Sequence, residues 1–316
     1  MKKKSIIIGV KGLNLSQNEF SLLKKINPWG IILFERNIQN ILQLKNLIIQ
    51  IRKCFNDKNF PILIDQEGGR VSRLNNIFDF RSYTQNFFGN MHKKKKTYFF
   101  KDHYEKYINF LCDIFNYLGI NINTSPVLDI ERGKHNGIIG DRSFSADKFI
   151  VSKLGKMCID FHHKNNIGTV IKHIPGHGIS NVDSHHFLPQ TNLNKESLIK
   201  NDFIPFMNSK SFFAMTAHIK YNKFDSKNSA THSKIIIDEI IRKKMKFKGI
   251  IMTDDISMKA LKFDLKTNII KSLDAGCNLI LHCNGDYSEA KKISKIVPYL
   301  DKFLLLKTKE FYKFLN

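Results

Sequence analysis

Two adjacent carboxylates follow a run of apolar residues in the last third of the sequence. Gly249–Thr253 has the composition of a buried strand, and Asp254 and Asp255 come directly after it. A carboxylate at the end of a strand can attack a carbon that is becoming cationic. The alternative is helix capping, because an aspartate before a helix that opens at Ile256 is an ordinary N-cap. The pair therefore contains a candidate nucleophile and a candidate cap, and Asp255 fits the cap better than Asp254.

A histidine-rich segment, Lys172–Pro189, is broken by glycine and proline. Such a stretch cannot continue a strand or a helix, so we expect a loop that leaves the fifth strand and can close over a ligand. Within it, Asp183 and His185 are the chemically suggestive pair, because a carboxylate bonded to an imidazole fixes its tautomer and tunes it for proton transfer near neutral pH. Two alternatives are open. The cluster could hold zinc, although its spacing matches no standard zinc signature, or the histidines could be purely structural.

Arginine is rare in this chain and is unevenly placed. Five of the eight arginines lie between Arg70 and Arg142, in or near the segments Asp65–Arg73 and Ile139–Phe144, while lysine supplies most of the other positive charge. Arginine presents a planar fork of donors that holds two acceptors in fixed geometry, which lysine cannot do. Carboxylates and guanidinium groups together suit a polyhydroxylated ligand such as a sugar. The alternative is an internal ion-pair network, because buried charges are usually paired.

Eight short apolar runs, bounded by turn residues, alternate with longer stretches of helical periodicity. This pattern is typical of βα units. Helical spacing is clearest in Ile41–Phe55, Lys101–Leu118, Lys148–Lys164, Lys195–Asn208 and Ser233–Met245. The predicted strands are Ser5–Val10, Gly30–Phe34, Pro61–Ile64, Ile120–Asn123, Thr169–Lys172, Phe213–Thr216, Gly249–Thr253 and Asn278–Leu281.

Polar residues follow most of these runs, at the points where the strands should end. In a (β/α)₈ barrel the carboxyl ends of the strands carry the chemistry, because the βα loops converge there. Eight repeats and this arrangement predict a closed (β/α)₈ barrel of the TIM type, with no linker or repeat that marks a second domain. The residues concerned are Glu35, Asp65, Asp129, His173, His218, Asp254 and His282.

The composition is that of a folded protein with a strong positive charge. The 316 residues include 51 Lys+Arg against 28 Asp+Glu, which gives a formal net charge of +23, and 42% are hydrophobic. Basic proteins often bind nucleic acids, but here the lysines are scattered along the whole chain and no aromatic and basic motif accompanies them. We therefore interpret the charge as compositional drift. The one true run, Lys93–Lys96, is expected to be a solvated loop.

Nothing in the sequence predicts export, membrane insertion or disulfides. The apolar stretch after Lys2-Lys3-Lys4 is broken by Lys11 before a signal sequence is complete, and no apolar run approaches the ~20 residues that a bilayer requires. The five cysteines are widely spaced and odd in number. We expect a cytoplasmic protein with no membrane partner.

Six segments, in order, resemble bacterial β-N-acetylhexosaminidases of glycoside hydrolase family 3, the NagZ type. The resemblance runs through almost the whole chain and implies one catalytic barrel domain over residues 1–316. It implies an enzyme that removes a terminal β-linked N-acetylglucosamine with retention, from muropeptides recycled in the cytoplasm, as a monomer. It implies no metal, no organic cofactor and no specific nucleic acid. The segments are Ile64–Val71, Ser125–Ile130, Ile139–Phe144, Lys172–Pro189, Met215–His218 and Thr253–Met258.

The same resemblance implies roles for individual residues. Asp254 is implied as the nucleophile that forms a covalent glycosyl-enzyme, and His185 as the acid/base with Asp183 as its partner. The remaining implied residues hold the hydroxyl groups of the sugar, and they are Asp65, Arg73, Arg142, Lys172 and His173.

The chain departs from the family pattern at Ile174, where phenylalanine is common, and at Ile179-Ser180, where an Asp-Thr pair is common. These changes affect the packing and closure of the loop more than its chemistry. Three other functions remain as alternatives. They are a β-glucosidase within the same family, a metal-dependent hydrolase that uses the histidine-rich loop, and a basic nucleic-acid-binding protein.

Overall fold

Eight parallel strands close into a barrel in the computed structural model of this chain, which describes residues 2–94, 97–132, 138–179 and 188–316. Each strand pairs with its neighbours in the sequence, and the last pairs with the first, so the predicted (β/α)₈ barrel is confirmed. The strands are β1 (Lys4–Gly9), β2 (Pro28–Leu33), β3 (Ile62–Ile64), β4 (Ile122–Asn123), β5 (Gly168–Ile174), β6 (Phe213–Thr216), β7 (Ile250–Asp255) and β8 (Leu279–His282).

Alternate residues of the strands face the inside and the outside of the barrel, as the twofold period of a strand requires. In β1, Ile6 and Ile8 pack in the hydrophobic cluster between the strands and the helices, whereas Ile7 packs with Trp29 and Ile32 inside the barrel. Every residue of β2 is buried. This burial on both faces explains why the strands read as short continuous apolar runs rather than alternating ones.

Helices surround the strands and begin at side chains that cap them. Ser16 forms a reciprocal capping box with Glu19, and Asn40 accepts a hydrogen bond from the backbone of Gln43. A π-helical turn, Ile236–Lys244, lies before β7. The α-helices of the described residues are α1 (Gln17–Ile26), α2 (Ile41–Phe55), α3 (Gln85–Lys94), α4 (Thr97–Leu118), α5 (Lys148–Lys164), α6 (Lys195–Lys200), α7 (Leu265–Ala275), α8 (Tyr287–Ile296) and α9 (Lys302–Phe314).

Two predicted boundaries around β5 and β7 are wrong. The strand β5 continues to Ile174 instead of giving way to a loop at Lys172, and β7 includes both Asp254 and Asp255. Polar residues are tolerated there because the barrel end is lined by other polar groups that pair with them. The functional side chains at 172, 173, 254 and 255 therefore lie on strands rather than on loops, and rigid strands hold them more firmly.

The alternative that Asp255 caps a helix opening at Ile256 is also wrong. Asp255 accepts hydrogen bonds from the backbone and hydroxyl of Ser257 at 3.1 and 2.9 Å, so it closes a turn instead of capping a helix. The next helix is α7, and its N-cap is Asp264, which accepts from the backbone N–H groups of Lys266 and Thr267. Aspartate is favoured both in turns and at helix N-caps, so the sequence alone does not distinguish the two positions.

Two further predictions differ from the structure. Lys93 and Lys94 belong to the last turn of α3 rather than to a loop, and residues 95–96 lie outside the described residues. The predicted helix Lys195–Asn208 ends at Lys200 and is followed by a 3₁₀ turn, Ile204–Phe206. Pro205 explains this end, because proline has no backbone N–H to donate within a helix.

The amino-terminal end of the barrel is closed by α9. Phe311 and Leu304 of this helix are buried and pack with the first residues of the strands, among them Phe213. Trp29 donates a hydrogen bond from its indole N–H to Thr308 at 2.8 Å. In the part of the chain that the structure describes, no helix is long and apolar enough to cross a membrane.

Candidate active site

A cavity of about 210 Å³ opens at the carboxyl ends of the strands, opposite α9. Six of the eight residues predicted from the sequence line it. The other two, Asp183 and His185, lie outside the described residues. The cavity volume is below the ~300 Å³ of pockets for drug-sized ligands, so the described walls fit a single sugar ring better than a longer oligosaccharide. The six residues are Asp65, Arg73, Arg142, Lys172, His173 and Asp254.

Asp65, directly after β3, is the centre of one charged cluster. Its two oxygens bind Arg73 Nη2 at 2.6 Å and Lys172 Nζ at 2.5 Å, and Thr124 donates its hydroxyl at 2.7 Å. Burial favours the neutral acid, but the charges of Lys172 and Arg73 outweigh burial and hold the pKa of Asp65 well below its ordinary value. Asp65 is therefore ionised and fixed in orientation, with acceptor oxygens at the cavity wall.

Glu67 joins Lys172 and Arg142 in a second buried pairing. Arg142 donates Nε and Nη2 to the two oxygens of Glu67, both at 2.7 Å, and Lys172 Nζ lies 2.5 Å from Glu67 Oε1. Burial opposes the charge of Arg142, yet the carboxylate of Glu67 outweighs it and raises the pKa of this guanidinium. The ion-pair interpretation of the arginine cluster is thus correct for Arg142, which also lines the cavity. Glu67 was not among the predicted site residues.

Asp129 anchors two histidines at the end of β5. One oxygen binds the Nδ1 of His173 at 2.6 Å and its backbone N–H at 3.1 Å, and the other accepts the backbone N–H of His177 at 2.5 Å. Since Asp129 occupies Nδ1, the Nε2 of His173 faces the guanidinium of Arg142 at 3.5 Å and the cavity. Burial opposes ionisation of Asp129, but the charge of His173 prevails and lowers its pKa.

Asp254 is bonded more sparsely than the other charged residues of the cavity. One carboxylate oxygen accepts the backbone N–H of Asp255 at 2.8 Å, and no lysine or arginine of the described residues lies within salt-bridge distance. Burial raises its pKa, but the nearby rings of His173 and His218 and the charge of Lys172 more than offset this, so the pKa lies below its ordinary value. Asp254 is thus an ionised carboxylate that no cationic side chain of the described residues binds, which suits a nucleophile.

His218, after β6, supports the strand end that carries Asp254. Its Nε2 donates to the carbonyl oxygen of Asp255 at 3.1 Å, and its Nδ1 meets the hydroxyl of Thr231 at 2.7 Å. Burial lowers the pKa of His218. The ring fixes the backbone beside the candidate nucleophile.

His177 is buried in the cavity wall. It is 3% exposed, and neither Nδ1 nor Nε2 has a partner among the described residues. Burial, followed by the nearby His173, lowers its pKa to about 4, so the ring is neutral and presents one donor and one acceptor. Gly178 makes this position possible, because a Cβ there would lie 1.8 Å from the carbonyl oxygen of Ile130.

Apolar side chains complete the cavity and match the mixed character of a sugar ring. Their contacts cover the apolar C–H faces, while the charged groups bind hydroxyls. Arg36 and Arg73 both lie over the ring of Phe34, at 4.8 and 5.4 Å from its centroid. The apolar lining consists of Ile32, Phe34, Val71, Met215, Met258 and Leu281, among others.

A metal site does not form within the described residues, where no three His, Cys, Asp or Glu side chains come together to hold an ion. Part of the histidine-rich segment on which the metal alternative rested, including Asp183 and His185, lies outside them.

Comparison with known proteins identifies the family. Residues 3–304 match the N-terminal domain of glycosyl hydrolase family 3. This chain belongs to that family. A β-hexosaminidase from Haemophilus influenzae is 35% identical over 288 residues, covering 89% of this chain and 79% of that protein, and one from Tolumonas auensis is 33% identical over 297 residues, covering 89% and 83%.

A solved structure supports the same assignment. NagZ from Neisseria gonorrhoeae, in complex with N-trifluoroacetyl-D-glucosamine, superimposes with a TM-score of 0.87 at 27% identity, over 98% of this chain and 90% of that one. The chain is thus a family 3 glycoside hydrolase of the NagZ type, and the predicted resemblance is confirmed.

Four residues of the site were missed by sequence reasoning. Asp129 and His218 were noted only as polar strand ends, and Glu67 and His177 only as members of motifs. Glu67 was detectable, since a buried arginine and lysine need a counter-ion. Nothing in the sequence pairs Asp129 with residues 44 and 48 positions away.

Proposed function

We propose that this enzyme is a retaining exo-β-N-acetylglucosaminidase with Asp254 as its nucleophile. The observation that carries the proposal is the contrast within the cavity. Asp65 and Glu67 are neutralised by lysine and arginine, whereas Asp254 is ionised and has no cationic side chain bound to it among the described residues. A sugar whose hydroxyls bind Asp65, Arg73, Lys172, His173 and Arg142 would present its anomeric carbon to the remaining carboxylate.

The reaction then proceeds in two steps. In the first, an oxygen of Asp254 forms a bond to the anomeric carbon while the glycosidic bond breaks, and His185 gives its proton to the departing oxygen. In the second, His185 removes a proton from water, the water oxygen attacks the same carbon, and the carboxylate of Asp254 leaves. The two inversions give net retention.

A histidine acid/base suits this cavity electrostatically. Most retaining glycosidases use a second carboxylate about 5–5.5 Å from the nucleophile. Two like charges at that distance raise the pKa of one of them. A histidine partnered by Asp183 is a cation when it acts as the acid and neutral when it acts as the base, so it never places a second negative charge beside Asp254, which stays ionised.

The substrate is inferred from the relatives. The curated relatives are β-hexosaminidases, and the solved NagZ binds an N-acylated glucosamine. We infer that this chain removes terminal N-acetylglucosamine from muropeptides in the cytoplasm, as a monomer and as one catalytic domain over residues 1–316, in the recycling of peptidoglycan. No metal or organic cofactor takes part in the proposed reaction.

The test is nitrophenol release from the β-N-acetylglucosaminide, with the β-glucoside as the specificity control. We expect cleavage of the N-acetyl substrate that chelator does not reduce. Asp254→Asn should lower kcat by about a thousandfold or more, since a nucleophile acts as a unit with its base. Asp113→Asn, on the exposed face of α4, is the matched control and should leave kcat unchanged.

Three outcomes would contradict the proposal. Preferred cleavage of the glucoside would indicate the β-glucosidase alternative. Loss of activity on chelation, restored by zinc, would indicate the metal-dependent one. Full activity of Asp254→Asn would show that Asp254 is not the nucleophile.

The role of His185 has its own test. His185→Ala should lower kcat/KM, which reports the first step, far more for natural substrates than for nitrophenyl substrates, because activated phenols need little protonation as they leave. Equal losses of kcat/KM on both substrate types would contradict the acid role.

A further inference from the structure

The outer face of α9, at the end of the barrel opposite the cavity, combines exposed leucines with lysines. Leu305 and Leu306 are each 56% exposed, and Tyr299, just before the helix, is 54% exposed. The opposite face of the same helix holds Leu304 and Phe311 in the core. The helix is therefore apolar on both sides, and only the inner side is covered by the described residues.

Lysines flank the two leucines on the outer face. Lys302, Lys309 and Lys313 are exposed and follow one another at spacings of seven and four residues, which places them on one side of a helix together with Leu305 and Leu306. None of the three has a carboxylate within 4.0 Å among the described residues, because Glu310 is paired with Lys307 at 2.7 Å. Asp301 accepts the backbone N–H of Leu304 at 2.7 Å.

Two grooves extend this basic face beside α9. One, of about 470 Å³, is lined by Lys210, Lys246, Lys248 and Lys307 with Glu310 as its only carboxylate, and the other is lined by Arg242, Lys248 and Lys307. The side chains of Lys210, Lys246 and Lys248 form no ion pair in the described structure. Apart from Lys307, which pairs with Glu310, the lysines of this face have no carboxylate within 4.0 Å among the described residues, and they surround an apolar centre.

We propose that this α9 face binds the surface of an anionic lipid bilayer, with Leu305 and Leu306 entering the interface between headgroups and acyl chains. Exposed apolar residues bordered by lysines are what an interfacial helix needs, because the leucines bury apolar area while each nearby lysine gains from the negative surface potential. A tyrosine at the edge suits the headgroup level.

Nucleic acid fits this face less well. A phosphate backbone would use the lysines, but single-stranded nucleic acids stack on a series of aromatic rings, and this face has two leucines at its centre with one tyrosine, Tyr299, at its edge. The proposal departs from the sequence-based expectation of no membrane partner, which considered only spanning segments. It places the cavity on the side of the barrel away from the bilayer, so that soluble substrates reach it freely.

The test is co-sedimentation of the full chain with vesicles of phosphatidylglycerol and phosphatidylcholine, against vesicles of phosphatidylcholine alone. We expect binding to the anionic vesicles only, weakened as salt rises through the range where the Debye length shortens below about 10 Å. Lys246→Glu with Lys248→Glu should lower the partition coefficient at least tenfold, at about fivefold for each lysine removed from the surface. Leu305→Ser with Leu306→Ser should lower it about fivefold or more.

Matched controls distinguish the effect of this face from the effect of net charge and from the effect of removing any exposed leucine. Lys262→Glu with Lys266→Glu changes the charge equally near the start of α7, and Leu42→Ser removes a leucine that is 65% exposed on α2. Both should change partitioning by less than twofold. All variants should cleave the nitrophenyl substrate at the wild-type rate, which shows that they are folded, and this readout is independent of vesicle binding.

Some results would overturn the proposal. These are no binding to anionic vesicles, an equal loss in the Lys262 and Lys266 control, or full binding by the leucine variant. Tight binding to a homopolymeric RNA that the leucine variant retains, without vesicle binding, would assign the face to nucleic acid instead.

Discussion

The two sides of the active-site cavity differ in how completely their charges are paired. On the side of β3 and β5, Asp65, Glu67, Arg142 and Lys172 neutralise one another at distances of 2.5–2.7 Å. On the side of β7, Asp254 keeps a carboxylate without a cationic partner among the described residues. The first side is built to hold a ligand in place, and the second is built to react with it.

The difference also separates stability from activity. A fully paired buried network loses free energy when one member is removed, because an uncompensated charge remains. A sparsely bonded nucleophile costs stability while it is present, as reactive sites commonly do. Substitutions on the two sides should therefore change stability in different ways.

Lys172→Met should have the largest effect on stability. It leaves Asp65 and Glu67 without their shared cation in a buried setting, so we expect the free energy of unfolding to fall by about 3–5 kcal/mol. Urea denaturation measures it. Lys156→Met, on the exposed surface of α5, is the control and should change little. A loss below 1 kcal/mol would show that the network does not hold this side together.

Arg142→Lys tests whether fixed geometry matters beyond charge. Lysine keeps the charge but lacks the planar fork that holds both oxygens of Glu67 in fixed geometry, so we expect kcat/KM to fall about tenfold or more through misplaced hydroxyl contacts. Arg81→Lys breaks a similar two-point contact with Asp79 that is exposed to solvent. Steady-state kinetics should show no change there. Equal effects of the two substitutions would show that the buried guanidinium of Arg142 contributes no more through its geometry than an exposed one does.

His177→Phe should change activity without lowering stability. The ring nitrogens are buried and have no partner among the described residues, so replacing them with carbon should leave the unfolding free energy unchanged or raise it by about 1 kcal/mol. If the ring binds substrate, KM should rise about fivefold while the fold remains intact. His173→Phe removes the imidazole that Asp129 binds, so it should lower both stability and activity. An unchanged KM in His177→Phe would make the ring a structural filler.

The pH dependence of stability should follow the same division. The pKa values of Asp65, Glu67 and Asp129 are lowered because neighbouring positive groups outweigh burial, so their contribution is present above about pH 4 and is lost as the pH falls through the lowered values. Burial lowers the pKa of His177 to about 4, so its ring costs stability as the pH falls from about 6.5 to 4. The unfolding free energy, measured by denaturation at a series of pH values, should depend less on pH in His177→Phe than in the wild type, and only between about pH 6.5 and 4. This is the smallest effect predicted.

Much of this architecture was predictable from the sequence. Short buried runs such as Ile62–Ile64, followed by polar residues, predicted both the barrel and the end of it that carries the site, because parallel strands place all their carboxyl ends together. Six of the eight predicted residues line one cavity, while Asp183 and His185, the proposed acid/base pair, stay predictions. The residue types were informative because arginine is rare here.

The remainder depended on contacts that a single sequence does not contain. Asp129 binds His173 and His177 across a gap of more than 40 residues, and Glu67 faces Arg142 across 75. Polar residues also gave wrong ends for β5 and β7, because charged residues can form the end of a strand inside a cavity when other groups bond to them. Only the three-dimensional pairing distinguishes a structural carboxylate from a reactive one.

The measurement that tests the account most directly is the mass of the enzyme during turnover of an activated N-acetylglucosaminide. In His185→Ala the second step lacks its base, so a covalent intermediate should accumulate. We expect intact-mass spectra to show one added N-acetylhexosamine residue, and peptide mapping to place it on Asp254. Turnover with no adduct and with inverted product, or an adduct on another residue, would contradict the account.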